Sequence, residues 1–188
     1  MKSIDIEKTF KSIGMKKDGH FLLASGLHSA TYFEKFRILE HPEFLVPVCE
    51  QIKEKFGSTD FLTVAGPTLG GVVIAYEVAK QFNKRCIFAE KTPEGLAFLR
   101  GFKIEKGEKI LVVDDVLTTG GSVFKTIDAV NKNGGIVAGV AVLVDRSENP
   151  IDFKAPFFAV YKAPTKNYSP DDCPLCKQGI ELVKPGGK

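Results

Sequence analysis

Short apolar segments alternate along most of the chain with longer segments of helical character. Apolar, β-branched segments predict strands at residues 61–65, 85–89, 109–113, 136–144 and 157–160. The segments between them predict helices at 43–56, 70–82 and 121–132. Continuous apolar runs are typical of parallel strands that are buried on both faces, and strands that alternate with helices build a sheet covered on both sides. The pattern therefore predicts an α/β fold with a doubly wound, mostly parallel sheet.

The first forty residues depart from this alternation. A short helix is predicted at 4–13, and two short strands at 21–23 and 31–36 lie on either side of the turn at Ser25 and Gly26. We interpret this segment as a small N-terminal lobe that precedes the α/β core. The expected organisation is a lobe at 1–40, a core at 41–165 and a C-terminal tail at 166–188.

Length and composition place the chain among globular proteins. Its 188 residues are enough for one domain with a small appended lobe, and 44% hydrophobic with 26% charged residues is an ordinary composition. A net charge of +3 is too small to predict a nucleic-acid partner. No apolar run approaches the roughly 18 residues of a transmembrane helix, and residues 1–10 lack the apolar region of a signal peptide. We therefore expect a cytoplasmic protein without a membrane partner.

The segment Lys109–Val123 carries the clearest functional signal. An apolar strand ends in two carboxylates, Asp114 and Asp115, which are followed by a turn and the start of a helix. In open α/β sheets, ligands bind beyond the carboxyl ends of such strands. The two carboxylates would repel a phosphate group. They suit neutral hydroxyls, as on a ribose, or the water shell of a magnesium ion.

The turn itself favours a phosphate group. Gly120 and Gly121 allow backbone N–H groups to face a ligand without obstruction by a Cβ, and Thr118, Thr119 and Ser122 add hydroxyl donors. The N-terminus of the following helix contributes roughly half a positive charge. Anion donors on one side and carboxylates on the other predict a site for ribose 5-phosphate. Neither common phosphate-loop motif is present, so an ordinary strand end with an Asp N-cap and a glycine-rich turn is the alternative.

Residues Val112–Ser122 resemble the PRPP signature of the type I phosphoribosyltransferases. Members of that family transfer ribose 5-phosphate from 5-phosphoribosyl 1-diphosphate (PRPP) to a nitrogenous base. The sequence V-L-T-T-G-G-S is most similar to the orotate branch, and Phe21–Phe33 independently resembles the pattern F-x-L-x-S-G-x-x-S-x-x-Y/F-F of that branch. The resemblance covers the core and the lobe at 1–40, which in the family forms a hood over the base and is called the hood below.

The resemblance implies an activity, a cofactor and an assembly. The expected reaction joins ribose 5-phosphate to orotate and gives orotidine 5′-monophosphate and diphosphate, a step of pyrimidine (UMP) biosynthesis. The expected cofactor is Mg²⁺, held mainly by PRPP and water. The expected assembly is a homodimer whose subunits share their lids, since the segment at 90–101 corresponds to a mobile lid that in the family reaches the site of the neighbouring subunit. The alternatives are a phosphoribosyltransferase for another base and a PRPP-binding regulatory protein.

The resemblance also implies roles for individual residues. PRPP binding is expected of Asp114, Asp115, Val116, Leu117, Thr118, Thr119, Gly120, Gly121, Ser122, Gly70 and Gly71. Orotate binding is expected of Thr118, Arg146, Tyr32 and Phe33. Catalysis is expected of Asp114, Asp115 and two lid cations, Lys91 and Arg100.

Some of these residues have alternative interpretations. The guanidinium of Arg146 suits the carboxylate of orotate, because it can bind a carboxylate in bidentate fashion. It could instead pair with Asp145 or Glu148. Tyr32 and Phe33 could be core residues of the hood, and the lid cations could simply be solvated.

The chain departs from the family pattern at three points. Ala24 and Gly70 stand where many orotate enzymes have lysines, and the lid at 90–101 contains no histidine. The turn G-P-x-x-G-G is similar to that of a subgroup with a shorter lid, so these departures do not indicate a loss of function. They leave open which lid residue is catalytic.

Four cysteines complete the candidate chemistry. Cys49 and Cys86 lie in apolar surroundings and are expected to be buried thiols, whereas Cys173 and Cys176 form a C-P-L-C motif in the tail. A zinc ion would need two more ligands, and no histidine lies nearby in the sequence. A structural or incidental pair is therefore the favoured interpretation. A metal shared across subunits and a redox-active pair are the alternatives.

Overall fold

The computed structural model describes residues 5–23 and 25–185. Its helices are α1 (Ile6–Ser12), α2 (Pro42–Phe56), α3 (Gly70–Phe82), α4 (Gly121–Lys132) and α5 (Pro174–Lys177). Its strands are β1 (Lys16–Leu22), β2 (His28–Phe33), β3 (Thr63–Pro67), β4 (Arg85–Thr92), β5 (Gly95–Phe98), β6 (Lys109–Leu117), β7 (Ile136–Asp145), β8 (Phe157–Lys162) and β9 (Asn167–Tyr168). Two 3-10 helices span Lys35–Glu40 and Pro170–Asp172.

The large sheet has the strand order β5-β4-β3-β6-β7-β8. All neighbouring strands pair in parallel except β5, which runs antiparallel to β4 at one edge. The helices α2 and α3 pack on one face, and α4 packs on the other. The prediction of a doubly wound, mostly parallel sheet is confirmed.

The central strand β6 explains how the apolar pattern of the sequence builds this sheet. Leu111 and Val113 face the side of α2 and α3, whereas Ile110 and Val112 face α4, and all of them are fully buried. Because side chains alternate between the two faces of a strand, one continuous apolar run supplies both layers of the core.

The sequence predicts no strand at 91–98, but this segment is part of a β-hairpin. The strand β4 continues to Thr92, and β5 pairs back from Gly95. Phe98 of β5 packs against the core on the α4 side. Burying this ring removes apolar surface from water, which favours the paired strand over an open loop.

The hood and the tail share a small antiparallel sheet of order β1-β2-β9. The strand β1 begins at Lys16, five residues before the strand predicted at 21–23. The prediction began too late because the first half of β1 is polar and has no apolar pattern. The strand β2 ends at Phe33, where a 3-10 helix replaces the predicted continuation of the strand. The tail contributes β9 and a bridge from Val183 to Phe21. Backbone hydrogen bonds therefore tie the tail to the hood.

The helix predicted at 4–13 is observed as α1. It begins after Asp5, whose side chain accepts a hydrogen bond from the Lys8 N–H at 3.0 Å. Ile4 of the predicted range and Ala24, one of the departures from the family pattern, lie outside the described residues. Of the helices that the structure describes, none has the length and apolar character needed to cross a membrane.

The packing of α2 on β7 leads to a prediction about stability. A Cβ built on Gly139 would stand 2.4 Å from Phe56 Cε1, and Phe56 is 2% exposed, so its ring is held on all sides. We expect Gly139→Ala to lower the free energy of unfolding by about 1–3 kcal/mol, as measured by urea denaturation, because the core would be overpacked. In a double-mutant cycle with Phe56→Leu, the smaller side chain should relieve part of this loss. Strictly additive losses would show that the two residues do not compete for space.

Candidate functional site

Three strand ends meet at the carboxyl edge of the large sheet, where the chain changes its winding direction. The strands β3 and β6 are neighbours, and the chain leads outward from them to β4 on one side and to β7 on the other. Crevices at such switch points bind ligands in open α/β sheets. The turn after β3, the loop after β6 and Arg146 after β7 therefore border one site.

Asp114 and Asp115 lie at the end of β6 and are almost entirely buried, with exposures of 4% and 3%. Asp114 accepts hydrogen bonds from the Asp115 N–H at 2.8 Å and from the Ser122 hydroxyl. Asp115 accepts one from the Val116 N–H at 2.6 Å, and its Oδ2 lies 2.9 Å from Lys35 Nζ. Burial, together with the charge of Asp115, raises the pKa of Asp114 to about 6.

Lys35 is a part of this site that sequence reasoning missed. It begins the 3-10 helix that follows β2, 80 residues before its partner Asp115. Its ammonium group compensates one of two adjacent buried charges and ties the hood to the core. The only local signal is its position just after the aromatic pair of the hood pattern, and nothing in the sequence indicates which carboxylate it reaches.

The start of α3 packs directly against the acidic pair. A Cβ built on Gly70 would stand 1.9 Å from Asp115 Oδ2, and one built on Gly71 would stand 2.6 Å from Pro67 Cδ and 3.2 Å from Asp114 Oδ1. A side chain at position 70 would displace the carboxylate, which accounts for glycine at this point of the turn. The immediate neighbours of these glycines are thus the carboxylates, and their contact with PRPP stays a prediction.

The loop at 118–122 presents unpartnered donors. None of its backbone N–H groups donates to a protein acceptor among the residues that the structure describes. Gly120 has a φ of +81°, a left-handed conformation that glycine adopts readily, and turns the chain into α4. Thr118, Thr119 and Ser122 are exposed. Free N–H groups, hydroxyls and a helix N-terminus together can bind a phosphate group.

A cavity of about 670 Å³ lies between this loop and the hood. The core, the hood and the tail all contribute to its lining, which includes Thr118, Thr119, Arg146, Leu23, Leu27 and Asn167. Its size and mixed lining suit a small ring compound. Thr118 and Arg146, both expected to bind orotate, border this cavity.

Arg146 has hydrogen-bonding capacity that the protein does not use. Its Nη2 donates to the Thr31 carbonyl at 3.3 Å, and its guanidinium lies 5.3 Å from the ring centroid of Phe33. Its Nε is buried without a partner among the described residues. Asp145 and Glu148, the alternative partners, accept hydrogen bonds from other groups instead. Burial lowers the pKa of Arg146, so an anionic ligand would stabilise its charge.

Tyr32 and Phe33 are not among the residues that line the cavity. Phe33 is 5% exposed and belongs to the core, where its ring supports Arg146. Tyr32 is half-buried and packs against Phe21, with ring centroids 5.7 Å apart. Phe33 thus matches the alternative of a core residue, and contact of either ring with orotate stays a prediction.

A second cavity, of about 410 Å³, lies at the other end of the loop and beneath the β4–β5 hairpin. Lys91, Lys125, Thr68 and Ser122 are among its lining residues. Two ammonium groups beside two hydroxyls favour an anionic occupant. Sequence reasoning missed Lys125. Its position one helical turn after Ser122, near the N-terminus of α4, was the signal that could have identified it.

The two expected lid cations differ in their surroundings. Lys91 faces the second cavity. Arg100 lies on the exposed segment after β5 and forms a bidentate ion pair with Glu90, with both hydrogen bonds at 2.8 Å. Arg100 would have to leave Glu90 before it could reach a diphosphate. The catalytic roles of both residues stay predictions.

The chain is similar to named proteins over its whole length. A family model of the phosphoribosyl transferase domain matches residues 37–175. The orotate phosphoribosyltransferase of Caldanaerobacter subterraneus subsp. tengcongensis is 44% identical over 100% of this chain and 99% of the relative. The orotate phosphoribosyltransferase of Pelotomaculum thermopropionicum is 44% identical over 98% of this chain and 97% of the relative. The crystal structure of orotate phosphoribosyltransferase from Aeropyrum pernix has a TM-score of 0.70 at 26% identity and covers 84% of this chain and 93% of that chain.

The raised pKa of Asp114 leads to a prediction about the dependence of stability on pH. A pKa raised from 3.8 to about 6 in the folded state means that protonation stabilises the fold at low pH, and that this contribution is lost as the pH rises through about 6. The neutral variant Asp114→Asn should therefore be more stable than the wild type at about pH 8, by about 1–3 kcal/mol. Urea unfolding at several pH values should show this difference shrink towards about pH 5.

The exposed carboxylate of Asp128 on α4 provides the matched control. Asp128→Asn should show no comparable gain in stability across the same pH range. A wild type that is more stable than Asp114→Asn at about pH 8 would contradict the expected cost of the buried charge.

Proposed function

The chain belongs to the phosphoribosyltransferase family, and on that premise we propose that it transfers ribose 5-phosphate from PRPP to orotate in pyrimidine (UMP) biosynthesis. The products are orotidine 5′-monophosphate and diphosphate. Two relatives named for this activity match this chain over 99% and 97% of their own length. One observation carries the proposal: Thr118 and Thr119 of the loop at 118–122 line one cavity with the guanidinium of Arg146, and the Ser122 hydroxyl fastens the same loop to the buried pair Asp114–Asp115. The N–H groups of this loop have no acceptor among the residues that the structure describes.

In this proposal the loop at 118–122 binds the 5-phosphate of PRPP. Its N–H groups and hydroxyls replace the water that solvates the phosphate, and the N-terminus of α4 adds its partial positive charge. Asp114 and Asp115 accept hydrogen bonds from the ribose hydroxyls. The phosphate is then held at a fixed distance from the reacting carbon, which removes most of the orientational freedom of the substrate.

The reaction exchanges one bond at the anomeric carbon for another. The bond from C1 of the ribose to the diphosphate oxygen breaks, and its electron pair leaves with the diphosphate. A ring nitrogen of orotate, whose proton has passed to the solvent, donates the electron pair that forms the new bond to C1. Positive charge develops on the sugar between these events, and the carboxylates of Asp114 and Asp115 stabilise it, as carboxylates do in glycoside hydrolysis.

The donors of the site fit Mg²⁺ held largely through substrate and water. Carboxylate oxygens are the hard donors that this ion prefers. Asp115 is already paired with Lys35, and Asp114 with Ser122, so the two carboxylates suit the water shell of the ion better than direct coordination. When bound, Mg²⁺ would neutralise the negative charge that develops on the departing diphosphate.

The cavity beneath the β4–β5 hairpin suits the diphosphate. Lys91, Lys125 and the Thr68 hydroxyl face it. Arg100, at the far end of the hairpin, could serve the same anion in a neighbouring subunit once it leaves Glu90. We therefore also propose a homodimer with shared lids, as the family resemblance implies, and a cytoplasmic location, as expected from the sequence.

Consumption of orotate, followed by its ultraviolet absorbance, tests the proposed function. We expect a loss of absorbance that requires orotate, PRPP and Mg²⁺ together. Asp115→Asn should strongly slow the consumption of orotate, because one carboxylate at the ribose is lost. Asp128→Asn, which changes an exposed carboxylate, should leave the rate unchanged. Transfer to adenine, hypoxanthine or uracil in place of orotate would assign the chain to another base. PRPP binding without any transfer would favour a regulatory protein.

The specificity for orotate depends on Arg146. We expect Arg146→Ala to lower kcat/KM for orotate about 10- to 100-fold, since a charge-assisted hydrogen bond is worth about 1.5–3 kcal/mol. The apparent KM for PRPP should change far less, because Arg146 lies on the hood side of the loop. Arg37→Ala, which removes an exposed arginine paired with Glu40, is the control. Equal losses for both substrates would contradict the role of Arg146 in binding the base.

A further inference from the structure

The tail brings together a second group of reactive side chains that the proposed reaction does not use. Cys173 and Cys176 of the C-P-L-C motif lie beside His20 of β1 and His28 of β2. The sequence places no histidine near the motif, but the fold does, because the tail folds back onto the hood. Two of the three histidines and two of the four cysteines of the chain meet at this point.

The separations within this cluster match those of a tetrahedral metal site. The Sγ atoms of Cys173 and Cys176 lie 3.5 Å and 3.7 Å from His20 Nε2, and Cys176 Sγ lies 3.3 Å from His28 Nδ1. The two ring nitrogens are 3.0 Å apart. With bonds of about 2.3 Å to sulfur and about 2.0 Å to nitrogen, a zinc tetrahedron separates sulfur from nitrogen by about 3.5 Å and two nitrogens by about 3.3 Å.

The surroundings of His20 aim its lone pair at the centre of the cluster. Its Nδ1 lies 2.8 Å from the carbonyl oxygen of Ile180. A nitrogen that faces a carbonyl carries the ring proton, so Nε2 is left as an acceptor. Metal-bound histidines commonly donate their second N–H to a carbonyl in this way. His20 also lies at an irregularity in the pairing of β1 with β2, between Asp18 and Phe21, and such bulges redirect side chains.

The two cysteines are presented by one helical turn. Cys173 immediately precedes α5, and its carbonyl accepts a hydrogen bond from the Lys177 N–H at 3.2 Å. The C-x-x-C spacing is typical of zinc ligands. Both cysteines are free thiols rather than a disulfide. As thiolates, they would balance the charge of a divalent cation and leave a neutral cluster.

We propose that His20, His28, Cys173 and Cys176 bind a structural zinc ion. Four protein ligands fill a tetrahedral shell and leave no open position for a substrate, which distinguishes structural from catalytic zinc. His20, His28 and Cys173 are almost fully buried, as in a site that holds its metal permanently. The proposal concerns the architecture of the chain and does not depend on which base the protein uses.

The zinc ion joins the tail to the hood next to the larger cavity. The segment 23–27 connects the strand of His20 to the strand of His28, and Leu23 and Leu27 of this segment line the cavity. The ion therefore fixes the two strand ends that carry Leu23 and Leu27 into the lining of the cavity. Without it, the tail would be held to this small sheet by the two-residue strand β9 and by the bridge from Val183.

Metal analysis of the untagged protein, purified without added metal, tests the proposal directly. We expect about one zinc ion per chain in the wild type and less than about a tenth of that in Cys173→Ser and in His28→Gln. The controls Cys86→Ser and His41→Gln remove the same residue types elsewhere in the chain and should keep the wild-type zinc content. Wild-type protein that holds less than about a tenth of an equivalent, or that holds iron instead, would overturn the assignment.

Cobalt substitution provides a test that does not depend on the folding of the variants. Wild-type apoprotein titrated with Co²⁺ should develop the thiolate charge-transfer absorption and the intense visible bands of a tetrahedral site with two sulfur and two nitrogen ligands. Saturation should occur at about one equivalent. The weak spectrum of octahedral cobalt would overturn the proposal.

Removal of the ion should also destabilise the protein. A zinc-selective chelator should lower the melting temperature of the wild type by several degrees, because the ion binds only the folded state. The same chelator should leave Cys173→Ser unchanged. An unchanged melting temperature of the wild type, or an equal decrease in both proteins, would overturn the structural role of the ion.

Discussion

The burial of two adjacent carboxylates at the end of β6 is the constraint on which the rest of the site depends. Charged groups are expensive in a protein interior unless they are paired and hydrogen-bonded. Asp114 and Asp115 find their side-chain partners in Ser122 and Lys35. The first contact fastens the loop at 118–122 to the strand, and the second draws the hood onto the core. Gly70 completes the arrangement, because only a residue without a Cβ leaves room for Asp115.

This arrangement separates opposite chemical tasks over a short length of chain. The N–H groups at 118–122, which have no acceptor among the described residues, and the lysines beneath the β4–β5 hairpin favour anions. The acidic pair between them favours hydroxyls and developing positive charge. Arg146 adds a cationic contact beneath the hood. PRPP carries a phosphate, ribose hydroxyls and a diphosphate, so one ligand can satisfy all of these groups except Arg146, which is left for the base. The membership of the chain in the phosphoribosyltransferase family is in accord with this division.

The parts of the molecule that could be predicted from the sequence are those whose signals are local. The buried strands are continuous apolar runs, and the acidic pair and its loop lie in one segment at 114–122. The missed features depend on contacts between distant residues: 80 residues separate Lys35 from Asp115, and 153 separate His20 from Cys173. The β4–β5 hairpin could not be predicted because the segment is largely polar and its one aromatic ring, Phe98, is only partly buried. The strand β9 has only two residues and thus no periodicity to detect.

A crystal structure with PRPP and Mg²⁺ bound tests most directly whether the acidic pair binds the ribose while the following loop binds the 5-phosphate. We expect the 5-phosphate to lie within hydrogen-bonding distance of the N–H groups at 118–122, and the ribose hydroxyls to lie within that distance of Asp114 and Asp115. A 5-phosphate bound in the cavity beneath the hairpin, or ribose hydroxyls beyond the reach of both carboxylates, would contradict this assignment.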